Sequence, residues 1–483
     1  MDKVFFLGLD VGTQGTRAVL MDSRGDVLGH AEENFPLNED MREEQSPHTW
    51  WQASKKVLSK VIGQVNGEFH PSKIKGIAVT STSGTVIPMD ASHQPLHPAL
   101  MYSDKRSAEV SERIMKEVDA SGYEGYKGFN SSSGLSKMVW FVENFPEKAE
   151  KIAKWIHAAD YISGMLSGTW GLTDYTNALK SGYDVHTGTW PGYLFERLPL
   201  DRAWMPQVHP SGKVIGHIRS ALAEDIGLST ATKVVLGMTD GCASQIASGA
   251  IKPGDWNTTI GTTMVIKGVT TGQIIDRQNR VYSHRHPQGY WMPGGASNTG
   301  ADWVTQDFGG KVDQLEQEAM KRVPSGHLSY PLRQKGERFP FISPDATGFE
   351  PEGLDLRERF VSNMEGVAYL ERYAFELMAQ LSGEKVNAVY TAGGGSQNKS
   401  WLKIRSNVMG LPIYKMKHTS GAYGAAVLAA SQTHFTNLTE AGEGLIQTDE
   451  EIFPEAALTD RYEDCYQEFI ELLLQKGYIQ KNG

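Results

Sequence analysis

Cysteine is nearly missing: Cys242 and Cys465 are the 2 in 483 residues, and they stand far apart. They cannot build a disulfide framework, so a reducing cytoplasm is the expected compartment. Long hydrophobic runs are missing too. The first, Val4 to Leu9, is closed by Asp10, too early for a signal peptide or a membrane span. No later stretch reaches membrane length, and the chain reads as soluble, with no membrane partner. Positive charge is in deficit, with 47 Lys and Arg against 57 Asp and Glu, a net charge of −10. An acidic surface argues against nucleic acid as the partner. It does not argue against a phosphorylated ligand, which backbone N–H groups and a metal ion can hold. Low-complexity tracts and long charge runs are absent as well.

What is present is an ordinary globular composition, 40% hydrophobic. The length exceeds what one core organises, which predicts two large lobes. Val4 to Leu9 reads as a strand buried on both faces. Arg17 to Met21 and then Val27 to Gly29 continue it as an antiparallel meander, with a turn at Ser23–Asp26. Ser46-Pro47 opens a helix carrying Trp50, Trp51, Val57, Leu58, Val61 and Ile62. Ile74 to Thr80 is a further buried strand. Around residue 250 the pattern restarts, with Trp256 to Ile260, a Gly261-Thr262-Thr263 turn, and Met264 to Val269. Two Gly-Thr hairpins of like shape suggest a duplication. Asn387 to Ala392 is a strand, Gly393 to Asn398 a glycine-rich turn, and a helix follows. Gly421 to Ala430 is a helix of small residues.

Asp10-Val11-Gly12-Thr13-Gln14-Gly15-Thr16-Arg17 is the strongest local signal. Glycines let successive N–H groups converge on one anion. Thr13 and Thr16 add hydroxyls, and Asp10, at a strand end, suits a hydrated magnesium ion. A plain hairpin turn capped by Asp10 accounts for the segment equally well. Gly261-Thr262-Thr263 alone reads as a turn, but with the first loop it could clamp a triphosphate across a cleft. Asp240 precedes a helical run, Cys242 to Ala250, so it is either an N-cap or a base for a sugar hydroxyl. In Gly393–Asn398, Ser396 and Asn398 suit either a helix cap or a nucleoside contact. Ser81, Thr82, Ser83 and Asp104 suit a polyhydroxyl ligand, or a solvated loop. Ser283-His284-Arg285-His286 offers two imidazoles without an identifiable third metal ligand. Cys242 reads as a buried thiol, and Trp50-Trp51 as core or lobe surface rather than a ligand platform.

Asp10-x-Gly12-Thr13 with Arg17, the Asp240 segment, Gly261-Thr262-Thr263 and Gly393-Gly394-Gly395 together resemble the FGGY carbohydrate kinases, in order and spacing, over nearly the whole chain. The resemblance implies an α/β fold of two ribonuclease-H-like, actin/hexokinase-type lobes around a central cleft. The N-terminal lobe would be 1–248, with the sugar site and first phosphate loop. The C-terminal lobe would be 249–483, with the second phosphate loop and the adenosine site. The cosubstrates implied are ATP and Mg²⁺. The catalytic base would be Asp240. ATP and its phosphates would lie against Asp10, Gly12, Thr13, Gln14, Arg17, Gly261, Thr262, Gly394, Gly395 and Asn398. The sugar would meet Asp10, Ser83, Asp104 and Asp240, and Asp10 would serve the metal. A homodimer is compatible with all of this.

A narrower resemblance lies in Ser131–Lys137, Asp174–Asp184, Gly294–Gly300 and Gly336-Glu337-Arg338-Phe339-Pro340, which look like D-ribulose kinases, relatives of xylulokinase. Xylulokinases carry Gln-Met-His-Gly in the first sugar loop, where this chain has Ser81-Thr82-Ser83-Gly84. They carry Asn after the base, where this chain has Gly241. The expectation is a pentulose kinase acting on D-ribulose, with D-xylulose or another polyol as alternatives. An actin- or chaperone-like ATPase would share the hairpins and the adenosine turn, but has no use for a sugar loop or for Asp240.

Overall fold

The computed structural model describes residues 3–35, 40–65, 67 and 69–480. They form two compact units. The first comprises Met1–Ala247, His284–Gly289 and His418–Ile446; the second comprises Ser248–Ser283, Tyr290–Lys417 and Gln447–Gly483. Residues 418–446 thus pack with the first unit although they follow most of the second in sequence. The reason is local packing on the strand Phe5–Gly12. A Cβ on Gly8 would lie 1.8 Å from the Ala422 carbonyl oxygen, so the helix Gly421–Thr433 sits directly on that strand. On its other side a Cβ on Gly424 would lie 1.9 Å from the Ala243 carbonyl oxygen. Only glycine, with no Cβ, permits backbones this close.

In the first unit β1 (Phe5–Gly12), β2 (Gly15–Asp22) and β3 (Val27–Asn34) form the expected meander. β4 (Ile74–Ser81) runs parallel to β1, and β6 (Lys233–Thr239) parallel to β4. β5 (Val214–His217) closes the edge antiparallel to β6, giving the order β5-β6-β4-β1-β2-β3. The central strands are apolar on both faces because each face is covered. Gly421–Thr433 lies on one side. The helix Pro47–Gln64 contributes Trp50, Trp51, Val57, Leu58 and Val61 to the core that the strands share, as the sequence implies.

The second unit repeats the plan. β7 (Asp255–Ile260), β8 (Met264–Gly268) and β9 (Trp291–Ala296) are antiparallel neighbours. β10 (Ala388–Ala392) is parallel to β7, β11 (Ile413–Met416) parallel to β10, and β12 (Thr448–Ile452) antiparallel to β11. Their spatial order, β9-β8-β7-β10-β11-β12, matches β3-β2-β1-β4-β6-β5 of the first unit. The Gly-Thr turns thus occupy equivalent places, β1–β2 and β7–β8. The helix Leu356–Ser382 is bonded to the helix Lys399–Met409 through Glu371 and Arg405, both fully buried. Arg405 donates to both Glu371 oxygens at 2.7 Å and to Thr391 Oγ1 at 2.9 Å, which satisfies a pair otherwise expensive to bury.

Candidate active site

In each unit the chemistry-bearing residues gather at the carboxyl ends of adjacent parallel strands, where open α/β sheets hold their ligands. In the first unit β1, β4 and β6 end side by side, with Val11 opposite Ser81 and Ser81 opposite Thr239. Asp10, Thr13, Ser83 and Asp240 all leave from this edge. In the second unit β7 and β10 end together, with Thr259 opposite Ala392, and carry Gly261-Thr262 and Gly393–Asn398.

Asp10 is 9% exposed, and its Oδ1 finds no hydrogen-bond donor among the described residues. Burial first, and then the charge of Asp240, push its carboxyl from 3.8 up to about 7, against a downward pull from Arg17. The carboxyl also lies at the start of the helix Gly421–Thr433. A Cβ on Gly421 would stand 3.2 Å from Asp10 Oδ2. Two neighbouring carboxylates, one with an orphaned buried oxygen, suit a divalent cation kept partly hydrated. Among the described residues no group of three or more His, Cys, Asp or Glu could hold a metal ion.

Asp240 is half-buried and opens the helix Asp240–Ala247, with the Gly241 N–H donating to its Oδ1 at 2.6 Å. The helix ends at Ala247 rather than at Ala250. The backbone just before Asp240 is tied down. The Thr239 N–H donates to Thr176 Oγ1 at 2.8 Å, and that hydroxyl donates to Asp174 Oδ1 at 2.6 Å. Ser211 Oγ donates to the same oxygen at 3.0 Å. Asp174 is 1% exposed; burial raises its pKa, while Thr176 and Asn177 work against the rise. This anchor is not legible from sequence, since hydrogen bonds between distant segments leave no periodic trace.

The first hairpin is braced from outside. Gln45 Nε2 donates to the Thr13 carbonyl at 2.9 Å, and the Phe35 N–H to the Gln14 carbonyl at 2.8 Å. Gln14 is exposed, and Arg17 donates to Glu32 at 2.7 Å. The glycines divide into two kinds. Gly15 is needed for packing, because its Cβ would meet the Glu33 carbonyl oxygen at 2.7 Å. Gly393 has φ +84, and a Cβ on Gly395 would press on Ile260 at 2.9 Å. Gly12, Gly261 and Gly394 have no such need: a Cβ would meet nothing closer than 3.6 Å, 4.0 Å and 4 Å respectively. None of these three has a left-handed φ. The conformational reason that the sequence suggests for Gly12 is therefore replaced by space: these glycines leave room above each loop.

Ser83 Oγ is buried and finds no partner among the described residues, next to Thr82 Oγ1, which bonds Thr85 Oγ1 at 2.9 Å. Gly84, at φ +85, turns the loop against the Ser132 carbonyl oxygen, 2.2 Å from where its Cβ would be. The Ser131–Lys137 and Asp174–Asp184 segments meet here, as the Leu135 N–H donates to the Lys180 carbonyl at 3.0 Å. Lys137 is fully buried; burial draws its ammonium down to about 8 although Asp104 pulls the other way. Asp104 is fully engaged by Arg106, whose Nε and Nη2 donate at 3.0 Å and 2.9 Å. Its carboxylate thus braces the loop through Arg106. Asn398 caps the helix Lys399–Met409, accepting from the Trp401 N–H at 2.8 Å. Thr262 is exposed, and Cys242 is buried. Among the described residues, no helix is long and apolar enough to cross a membrane.

The N-terminal domain model of the FGGY family of carbohydrate kinases matches residues 5–247, and its C-terminal domain model matches 256–433. A gluconokinase of Bacillus subtilis is 25% identical over 507 aligned positions, covering 99% of this chain and 97% of the relative. A xylulose kinase of the same organism is 24% identical, covering 96% and 95%. The crystal structure of xylulose kinase from Rhodospirillum rubrum superposes with a TM-score of 0.84 at 25% identity, covering 98% of both chains.

Proposed function

Because the chain belongs to the FGGY family of carbohydrate kinases, and is thus an ATP-dependent sugar kinase, we propose that it phosphorylates D-ribulose to D-ribulose 5-phosphate. The observation that carries the choice of sugar is the loop after β4. It presents small hydroxyls, and Ser83 Oγ is buried there without a partner among the described residues. A buried hydroxyl favours a ligand hydroxyl in register with it and penalises an epimer that leaves it unpaired.

Asp240 is the base. Anchored through Thr239, Thr176 and Asp174, it accepts the proton of the attacking sugar hydroxyl, which asks little more than orientation of a carboxylate. Asp10, whose buried Oδ1 has no hydrogen-bond donor among the described residues, would hold the hydrated metal. Bound magnesium would supply charge neutralisation at the transferring phosphate. In the first unit, Thr13 and the open space over Gly12 suit a phosphate. In the second, Gly261 and Thr262 suit one likewise, and Gly394, Gly395 and the Asn398 turn suit an adenosine.

The test is a coupled ADP-release assay with D-ribulose, D-xylulose, gluconate and glycerol. An unpaired buried group costs about 1–3 kcal/mol, so D-ribulose should exceed D-xylulose roughly 5- to 150-fold in kcat/KM. Equal values, or a preference for D-xylulose or gluconate, would remove the substrate assignment.

A further inference from the structure

The Gly336–Pro340 segment takes no part in the reading above, yet it holds an unusually well-donated carboxylate. Glu337 is 3% exposed. Its Oε2 accepts from Ser297 Oγ at 2.8 Å, Thr299 Oγ1 at 3.0 Å and Tyr330 OH at 2.9 Å. Its Oε1 accepts from the Asn298 N–H at 2.7 Å and the Arg338 N–H at 2.9 Å. All five donors are neutral, so this buried carboxylate is stabilised by orientation of dipoles. The segment that it gathers, 297–301, is the one that supports the second Gly-Thr hairpin. The Ser297 N–H donates to the Met264 carbonyl and the Met264 N–H to the Thr299 carbonyl, both at 2.9 Å. The Ala301 N–H donates to the Gly261 carbonyl at 2.8 Å, and a Cβ on Gly300 would lie 2.5 Å from the Thr262 carbonyl oxygen. Glu337 is itself fixed, its backbone exchanging two 2.9 Å hydrogen bonds with Ser343.

We propose that Glu337 is a positioning residue for nucleotide phosphate: it locks 297–301, and that segment sets the height and tilt of Gly261-Thr262-Thr263. The inference rests on the reading that this hairpin meets phosphate. It separates two effects. Loss of the clamp displaces the hairpin, so affinity for ATP falls while the sugar loop in the first unit is untouched. A misplacement of about 1 Å in such a site costs on the order of 10²-fold.

The variants are Glu337→Ala and Glu337→Gln in the full-length chain. Glutamine keeps an oxygen for the two N–H donors, and its amide can donate to hydroxyls that accept as well as they donate. For Glu337→Ala we expect KM for MgATP to rise roughly 10- to 10²-fold, sugar KM to stay within about 2-fold, and hydrogen exchange to quicken across residues 256–268. Glu337→Gln should recover most of the exchange protection and part of the KM. If Glu337→Ala does not fold, Ser297→Ala removes one donor and should shift the same two readouts less. Unchanged exchange in 256–268, or equal losses of sugar and ATP affinity, would overturn the proposal. Quickened exchange in a chain whose wild type turns over no sugar would instead sink the kinase reading and leave the clamp standing.

Discussion

Replacing Gly12 by alanine separates the two reasons a loop can have for glycine. A methyl at that position meets the Gly15 carbonyl oxygen at 3.6 Å and Arg17 Nη1 at 3.9 Å, ordinary contact distances. The backbone there is not left-handed, so alanine fits without strain. Folding should therefore be unharmed. Restricting the unfolded chain should even add about 0.4–1 kcal/mol to stability. If the space over Gly12 is where phosphate approaches, the same methyl takes van der Waals room from the ligand. Displacing the phosphate by about 1 Å should lower kcat/KM for MgATP on the order of 10²-fold. Thermal unfolding and steady-state kinetics with varied MgATP read both halves. Gly261→Ala and Gly394→Ala should behave alike, being equally open. Gly424→Ala is the contrast: its methyl would lie 1.9 Å from the Ala243 carbonyl oxygen, so it should lower Tm sharply. Wild-type ATP kinetics in all three open-glycine variants would refute the assignment of these loops to the nucleotide, Gly12 and Gly261 to its phosphates and Gly394 to its adenosine.

Three further outcomes are expected. Asp240→Asn should lose roughly 10²–10⁴-fold in kcat while calorimetry still registers binding of an ATP analogue; near-normal turnover would place the base elsewhere. Thr176→Val removes the acceptor of the Thr239 N–H and a donor to Asp174, so it should cost about 1–3 kcal/mol of stability and reduce kcat more than it raises KM for ATP. Glu365 is buried in the second unit, and burial raises its carboxyl from 4.5 to about 7, while Ser325 and Tyr462 pull it down. Its contribution is thus fully present below pH 4.5 and is lost as pH rises through about 7. The wild type should lose on the order of 3 kcal/mol relative to Glu365→Gln over that window; parallel Tm-against-pH curves would contradict this.

The β1–β2–β3 meander was readable because a buried strand prints an apolar run, as in Phe5–Leu9; the parallel pairing of β4 and β6 and the strands Val214–His217 and Ile413–Met416 were not. The equivalence of the two hairpins was readable because each needs glycine beside threonine. The proximity of Asp10 to Asp240 was not, since it arises from β1 and β6 flanking β4. Asp104 suits a ligand for hydroxyls, and the structure adds that Arg106 donates to both of its oxygens, a contact that leaves no mark in the sequence. Gly15 looked like a conformational device and proves to be a contact with Glu33. Glu337 and Asp174 lie within segments that resemble D-ribulose kinases, yet a motif does not tell which donors will converge on a carboxylate.

The helix Gly421–Thr433 belongs to the first unit but is encoded after almost all of the second. During synthesis, β1 and β4 leave the ribosome with one apolar face uncovered, and remain so until that helix is made. A fragment ending at residue 247 would keep the face bare, with Gly8 marking an empty groove along it. The first unit should therefore fold late and aggregate when expressed alone. A fusion of 1–247 to 418–446 through a short linker should restore its solubility.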